Sequence, residues 1–357
     1  MAPRSPSGVP RLELEGKRIG PAQRTLLIAE LSANHDRDLD RALALVDVAA
    51  EAGWDCLKLQ TYDADSLTMD SPHPAMRVEA KWGKSTLYEL YQSAGMPMEF
   101  HRPLFDRARE RGLLPFTSVY DPRDLDFVED LGCSLYKIAS FEMTYDDLLR
   151  AVGGTGKPVI LSTGMASLPE VGHALDVLDG AGAGPVILLH CCSSYPAPPD
   201  EINLDAMAAM GARFGRMTGF SDHTIGARAA LAASAMGAVA VEKHFTDDPA
   251  RPGPDHRFSA TPDVLREIAE GVDEIRTLRG SGAKHTTPAE EVSKASGRRS
   301  AWAQRDLPAG HVVGPGDYRF IRPAAGIPAT DGARLDGARL ATPVARGMPI
   351  TDADLAE

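Results

Sequence analysis

The stretch TLLIAELSANHDRD, residues 25–38, decides the fold. Its first half, Thr25 to Leu31, is almost wholly apolar, as in a strand covered on both faces of a parallel sheet. The second half separates two architectures. A doubly wound open sheet carries a Gly-rich phosphate fingerprint after its first strand, and SANHDRD contains no glycine. A (β/α)8 barrel instead ends its strands in polar groups around a common mouth, and Glu30, Ser32, Asn34 and His35 follow that rule.

Seven further runs repeat the design: CLKLQTY from Cys56, LLPFTSVY from Leu113, SLYKIAS from Ser134, PVILSTGM from Pro158, PVILLHCC from Pro185, RMTGFSDHT from Arg216 and AVAVEKHFT from Ala238. Helical patterns separate most of them. Leu39, Ala42, Leu43, Val46, Ala49 and Ala50 share one face with Gly53 as the stop, and Val171, Ala174, Leu175 and Leu178 share another with Gly180 as the stop. Residues 63–97 form a longer interval, irregular and then helical around TLYELYQSAG, of the kind that builds lids and binding loops. The chain is therefore expected to be α/β, a TIM barrel over residues 21–280 behind a flexible segment at 1–20.

Residues 281–297 are polar without periodicity and read as a linker. Beyond them, at 298–357, Leu307, Gly310, Val313, Asp317 and Tyr318 recur as Val344, Gly347, Ile350, Asp354 and Leu355. Such a repeat with Gly and Pro turns predicts a small, pseudo-symmetric, β-rich domain that needs a surface to cover.

The 357 residues carry a net charge of -12, which excludes a general affinity for nucleic acid or anionic membrane. There is no apolar run of the roughly eighteen residues that a membrane span needs, and the first twenty residues lack a signal-peptide core, so a cytoplasmic location is expected. Cys56, Cys133, Cys191 and Cys192 sit in apolar runs without a C-x-x-C pair and read as buried reduced thiols. Trp54, Trp82 and Tyr88 read as packing residues.

With so acidic a chain, lysines at strand ends are informative. Lys58 and Lys137, joined by Ser118, Ser140, Ser162 and Ser221, suit a phosphate and carboxylate pocket, because such anions want fixed cations and hydroxyl donors. His223 and His244, at adjacent strand ends, suit a divalent metal with positions left open for substrate oxygens, with Asp222 as an orienting partner of His223. Strand alternation puts Lys58 with Gln60 on one face and Glu242 with His244 and Thr246 on another. Lys243 then points the other way, toward a structural ion pair. His35, His190, Ser193, Thr117 and Thr163 stand at the same ends without a defined role.

The segments IAELSANH, KLQTY, YKIASFE, STGMAS, SYPAPPDEINL, GFSDHT and VEKHFT resemble the nonulosonic acid synthases, the sialic acid synthase family, and GRRSAWAQRDLPAG with IRPAAGIP resembles that family's antifreeze-like (SAF) domain. SANH, KLQTY, KIASFE and STLYELYQSAGMP with EFHRPLF look most like the pseudaminic acid synthase branch. The resemblance implies condensation of phosphoenolpyruvate with a six-carbon N-acetylated amino sugar and release of phosphate. In the pseudaminic case the sugar is 2,4-diacetamido-2,4,6-trideoxy-L-altrose. Alternatives are a legionaminic or sialic precursor, an unusual aldose, or a noncatalytic sugar-binding protein on the same fold.

By the resemblance, His223 and His244 hold the metal, Mn²⁺ first with Co²⁺ or Mg²⁺ as alternatives. Lys58, Ser118, Lys137, Ser140, Ser162 and Ser221 bind phosphoenolpyruvate. Gln60, Tyr195, Asp255 and, from a partner's antifreeze-like domain in a swapped homodimer, Arg322 contact the sugar, while Glu30 stands near the reacting centre. Three departures bear on the sugar: NHDRD where the family reads N-H-N-G or N-H-x-G, Ser193 where sialic acid synthases have Asn, and the mixed motif RPGPDHRFS.

Overall fold

The computed structural model describes residues 12–78 and 84–356, so Trp82 and residues 1–11 of the expected flexible segment lie outside the described residues. The chain divides into two compact units, residues 1–280 and 281–357.

In the first unit eight parallel strands close into a barrel: β3 (Leu26–Glu30), β4 (Cys56–Thr61), β5 (Leu114–Val119), β6 (Tyr136–Ile138), β7 (Val159–Ser162), β8 (Val186–His190), β9 (Met217–Asp222) and β10 (Ala240–His244), with β10 paired to β3. Each strand falls within one of the eight apolar runs. Nearly every strand residue is buried because side chains on one face fill the barrel and those on the other meet the surrounding helices. Gly219 in β9 shows how tightly the strands approach, since a Cβ there would stand 2.3 Å from the Ala240 carbonyl oxygen and 2.7 Å from Leu189 Cδ2.

The helix after β3 runs Leu39–Glu51, begun by Asp38, whose side chain accepts from Arg41 N–H, and followed by Gly53 at φ 79°. The helix after β7 runs Leu168–Ala181, so Gly180 lies inside it and Gly182, at φ 96°, is the stop instead. The 63–97 interval holds short helices at Ala64–Leu67 and Pro74–Met76 and a longer one at Leu87–Ala94. Two short antiparallel strands, β1 (Leu12–Leu14) and β2 (Lys17–Ile19), replace part of the expected flexible segment. Ile19 is fully buried in the barrel core, and Leu12 and Leu14 pack against it. Among the described residues no helix is long and apolar enough to cross a membrane.

In the second unit the expected linker contains a helix, Pro288–Gly297, started by a capping box of Thr287 and Glu290. The rest is built on the sequence repeat. Leu307 and Val344 exchange both backbone hydrogen bonds at 2.9 Å, Gly310 N–H donates to Leu340 while Gly347 N–H donates to Ala303, and Val313 N–H donates to Ala338 while Ile350 N–H donates to Ala301. Equivalent residues thus make equivalent bonds across a pseudo-two-fold. Asp317 and Asp354 each take the N–H three residues back, from Gly314 and Thr351 at 2.9 and 2.8 Å. The enclosed core is small, with Leu307, Val313, Ile327, Leu335, Leu340, Val344 and Ile350 as its large members. Two strands, β11 (Ser300–Ala303) and β12 (Tyr318–Ile321), pair antiparallel beside it.

Candidate active site

Register brings the polar strand ends together. Around the barrel His244 pairs with Glu30 and Glu30 with Lys58, Gln60 pairs with Ser118 and Ser118 with Lys137, and Ser221 pairs with Glu242. A cavity of about 560 Å³ opens at this end, lined by Lys58, Gln60, Lys137, Ser140, Ser162, Tyr195, Ser221, His223, Glu242, His244 and Asp255. Glu30 and Ser118 lie behind the lining, fully buried. Arg322 belongs to the second unit, where it is exposed.

The floor is a buried charge cluster. Lys58 Nζ contacts Glu30 Oε2, donates to Ser118 Oγ at 3.1 Å and stands 3.6 Å from Glu242 Oε1. Lys137 Nζ is 4.0 Å from the same Glu242 oxygen, which also accepts from Ser221 Oγ at 3.1 Å. Burial works against the Lys58 charge, but Glu242 and Glu30 outweigh it and raise the lysine above its ordinary range. Burial likewise opposes the Glu242 charge, yet Lys137 and Lys58 hold that carboxyl below its usual range. Burial depresses Lys137, only partly offset by Glu242. Glu30, pushed up to about 7 by burial despite Lys58, accepts from Gln60 Nε2 and Ser32 N–H at 3.0 Å each. Its carboxylate is thus engaged in holding Lys58 and Gln60.

Several polar atoms around the cavity have no hydrogen-bond partner although buried: Ser162 Oγ, Ser193 Oγ, Glu142 Oε2, Glu242 Oε2 and His244 Nδ1. An unpartnered buried polar atom costs about 1–3 kcal/mol, so their gathering here is what a ligand site requires.

The two imidazoles are neighbours, ring centroids 5.5 Å apart. His223 Nδ1 bonds the Cys192 carbonyl at 2.8 Å, which leaves Nε2 as the free ring nitrogen. Burial lowers both pKa values, for His244 well below the ordinary one with His223 and Lys58 adding to the effect, so both rings are neutral and able to ligate. Among the described residues no group of three His, Cys, Asp or Glu side chains is arranged to hold a metal. Two imidazoles fit a divalent ion only if substrate or water completes its coordination.

Asp222 does not orient His223. Its Oδ2 accepts from Lys243 Nζ at 2.8 Å and its Oδ1 from Thr224 N–H and Oγ at 2.8 and 2.7 Å. β9 and β10 put Asp222 opposite Lys243 on the outer face, and this is the ion pair that alternation predicts for Lys243. His35 and His190 serve locally, through Arg37 N–H and the Ile202 carbonyl. Trp54 is buried with its indole N–H on the Leu265 carbonyl.

Of the residues expected to contact the sugar, Tyr195 has its ring centroid 4.3 Å from that of His223 with the planes tilted by 44°, and Asp255 accepts from Ser32 Oγ and Ala33 N–H with its Oδ2 4.0 Å from His244 Nδ1. The 63–97 interval supplies an apolar wall of Leu67, Val78, Leu87, Leu90, Tyr91 and Ala94. Glu142 is a candidate that strand reasoning missed, because it sits in the 3-10 turn Ser140–Glu142 after β6. Burial pushes its carboxyl up to about 7, with Lys137 opposing.

A parallel barrel that gathers two buried lysines, a pair of neutral imidazoles and an acidic wall group in one cavity at the carboxyl ends of its strands has the layout of a barrel enzyme. The model of the NeuB family matches residues 45–284 and that of the SAF domain residues 298–356. The chain belongs to the NeuB family, the nonulosonic acid synthases. It is 34% identical to the pseudaminic acid synthase of Helicobacter pylori over 84% of this chain and 89% of that protein. It is also 34% identical to the N,N'-diacetyllegionaminic acid synthase of Campylobacter jejuni, over 86% and 93%. The crystal structure of the N-acetylneuraminic acid synthetase of Leptospira borgpetersenii superposes with a TM-score of 0.72 at 30% identity, covering 80% of this chain and 95% of that one.

Proposed function

We propose that the protein condenses phosphoenolpyruvate with 2,4-diacetamido-2,4,6-trideoxy-L-altrose to give pseudaminic acid and inorganic phosphate. The observation that carries this reading is the pairing of two buried lysines with unpartnered hydroxyls, beside two neutral imidazoles, in one cavity. Lys58 and Lys137 are two fixed cations for two anionic groups, the phosphate and the carboxylate, with Ser140, Ser162 and Ser221 as donors. The apolar wall favours a deoxy sugar bearing acetamido groups over one with exposed hydroxyls.

His223 and His244 would hold the divalent metal, Mn²⁺ being the first to test; when bound, it supplies Lewis-acid polarisation of the sugar aldehyde. C3 of phosphoenolpyruvate forms the new carbon–carbon bond to that aldehyde carbon, the carbonyl π pair passes to the aldehyde oxygen, which takes up a proton to become a hydroxyl, and positive charge develops at C2. Glu242, beside Lys58 and Lys137, offsets that charge. Water adds at C2 with one proton passing to a carboxylate, for which Glu142 is poised; the new C2 hydroxyl then gives its remaining proton to the departing phosphate and becomes the keto oxygen as the C2–O bond to phosphate breaks. Glu30 acts indirectly, by fixing Lys58 and Gln60.

Purified protein is expected to release phosphate from phosphoenolpyruvate only with both a divalent metal and the amino sugar present, and His244→Ala is expected to be inactive. Silence with Mn²⁺, Co²⁺ and Mg²⁺ across pseudaminic, legionaminic and sialic precursors sinks the reading. The equal identities to a pseudaminic and a legionaminic acid synthase keep the second sugar in that panel. Thermal stabilisation by sugar without turnover marks a binding protein instead.

A Glu142 carboxyl pushed up to about 7 by burial, in the same range as Glu30, shapes the pH profile. As a base it works ionised, so kcat/KM should rise as pH climbs through about 7. Glu142→Gln is expected to lower kcat by about 100-fold or more and to flatten that rise. A variant that keeps the wild-type profile removes Glu142 from the proton transfer.

The reading includes a homodimer in which the C-terminal unit, carrying Arg322, covers the partner's barrel mouth. Phe141, Met165 and Ile225, exposed on the loops after β6, β7 and β9, support a covered rim. A fully active preparation with the mass of one chain in light scattering would exclude the arrangement.

A further inference from the structure

Two of the sequence departures, NHDRD and GPDHRFS, meet in space. Asp36 Oδ1 is bonded to His256 Nε2 at 3.0 Å, and its Oδ2 stands 3.1 Å from Arg41 Nε. His256 is fully buried, with Nδ1 on Thr246 Oγ at 2.8 Å, and the residue before it is Asp255 of the cavity. The next residue in the loop, Arg37, reaches the opposite way: Nη1 donates to the Gly95 carbonyl at 2.7 Å and the Gln92 carbonyl at 3.2 Å. Those carbonyls end the helix Leu87–Ala94, which has no basic residue in its own last turn. The guanidinium satisfies free carbonyls and meets the negative end of the helix dipole.

Both turning residues sit in the left-handed region, Asp36 at φ 50° and Arg37 at φ 56°. Asp and Asn tolerate that region, whereas an arginine there is strained and is kept by what holds its side chain. Arg37 is held by the helix that carries Leu87, Leu90, Tyr91 and Ala94 into the cavity wall.

We propose that Arg37 is a positioning residue for sugar selection: by clamping the end of the helix Leu87–Ala94 it sets the apolar wall, and so restricts the sugar to one whose distal groups are deoxy or acylated. This rests on the reading of the cavity as an amino-sugar site. The loop ties that wall on one side and the Asp255 side of the cavity on the other, so both sugar-facing surfaces are referenced to one turn.

Arg37→Asn tests it, because Asn tolerates the left-handed region but is too short to reach the carbonyls. With two charge-assisted bonds lost, backbone amides over residues 87–95 are expected to exchange about tenfold faster or more. KM for the sugar should rise by about tenfold with KM for phosphoenolpyruvate within about twofold of wild type. Arg37→Lys, which keeps one charged donor, should fall between. Unchanged exchange, faster exchange with an unchanged sugar KM, or an equal rise in both KM values overturns the proposal. If the wild type turns over no amino sugar, the functional reading fails, and unchanged exchange in Arg37→Asn then removes the clamp as well while faster exchange upholds it.

Discussion

Lys137→Met is expected to lower kcat/KM for phosphoenolpyruvate by about 100- to 1000-fold while leaving the melting temperature close to that of wild type. Lys137 Nζ is 4.0 Å from Glu242, donates to the Ile138 carbonyl at 3.2 Å, and is depressed by burial; in the variant Lys58, 3.6 Å from Glu242, still keeps a cation beside that carboxylate, so the barrel loses little. On the proposed reading its charge is kept for the anionic substrate. Lys58 differs, being in contact with Glu30 and Ser118 and 3.6 Å from Glu242, so removing it would confound loss of binding with the strain of two uncompensated carboxylates. Phosphate-release kinetics with a melting curve on the same preparation separate the two. A Lys137→Met protein that binds phosphoenolpyruvate like wild type removes Lys137 from the anion site.

Lys243→Met should do the reverse and fail first in stability, by about 3–5 kcal/mol. Lys243 and Asp222 have side chains 1% and 0% exposed, and the ammonium bonds Asp222 Oδ2 and the Thr224 carbonyl at 2.8 and 2.7 Å. Removing the cation strands a carboxylate between β9, β10 and the surrounding helices. Adding Asp222→Leu should recover much of the loss, because a buried ion pair costs nearly as much in desolvation as it returns. Denaturant unfolding of the two variants checks both claims, and a Lys243→Met protein as stable as wild type excludes a structural role for the pair.

The two lysines illustrate what the chain discloses by itself. Period-two alternation separates Lys243 from Glu242 and His244, and parallel strands aim the ends of all eight apolar runs the same way. The same alternation, extended to β9, pairs Asp222 with Lys243 and not with His223. Glu142 was hidden because it lies just beyond a strand, where no period applies. The hairpin at Leu12–Ile19 was hidden because its three-residue strands carry charges on half their positions and too few residues to reveal alternation. The bond between Asp36 and His256 joins residues 220 positions apart, and only the closure of β10 on β3 brings them together.

The reciprocal bonds of the C-terminal unit bear on how it folds. Leu307 and Val344 supply each other's donor and acceptor, and the Gly310–Leu340 bond has its equivalent in Gly347–Ala303. Those bonds cross between the halves, so β11 and β12 can pair within the first half but its core bonds wait for the second. The enclosed core of the unit, drawn from Leu307 and Val313 on one side and Leu340, Val344 and Ile350 on the other, therefore closes only when both halves of the repeat are in place.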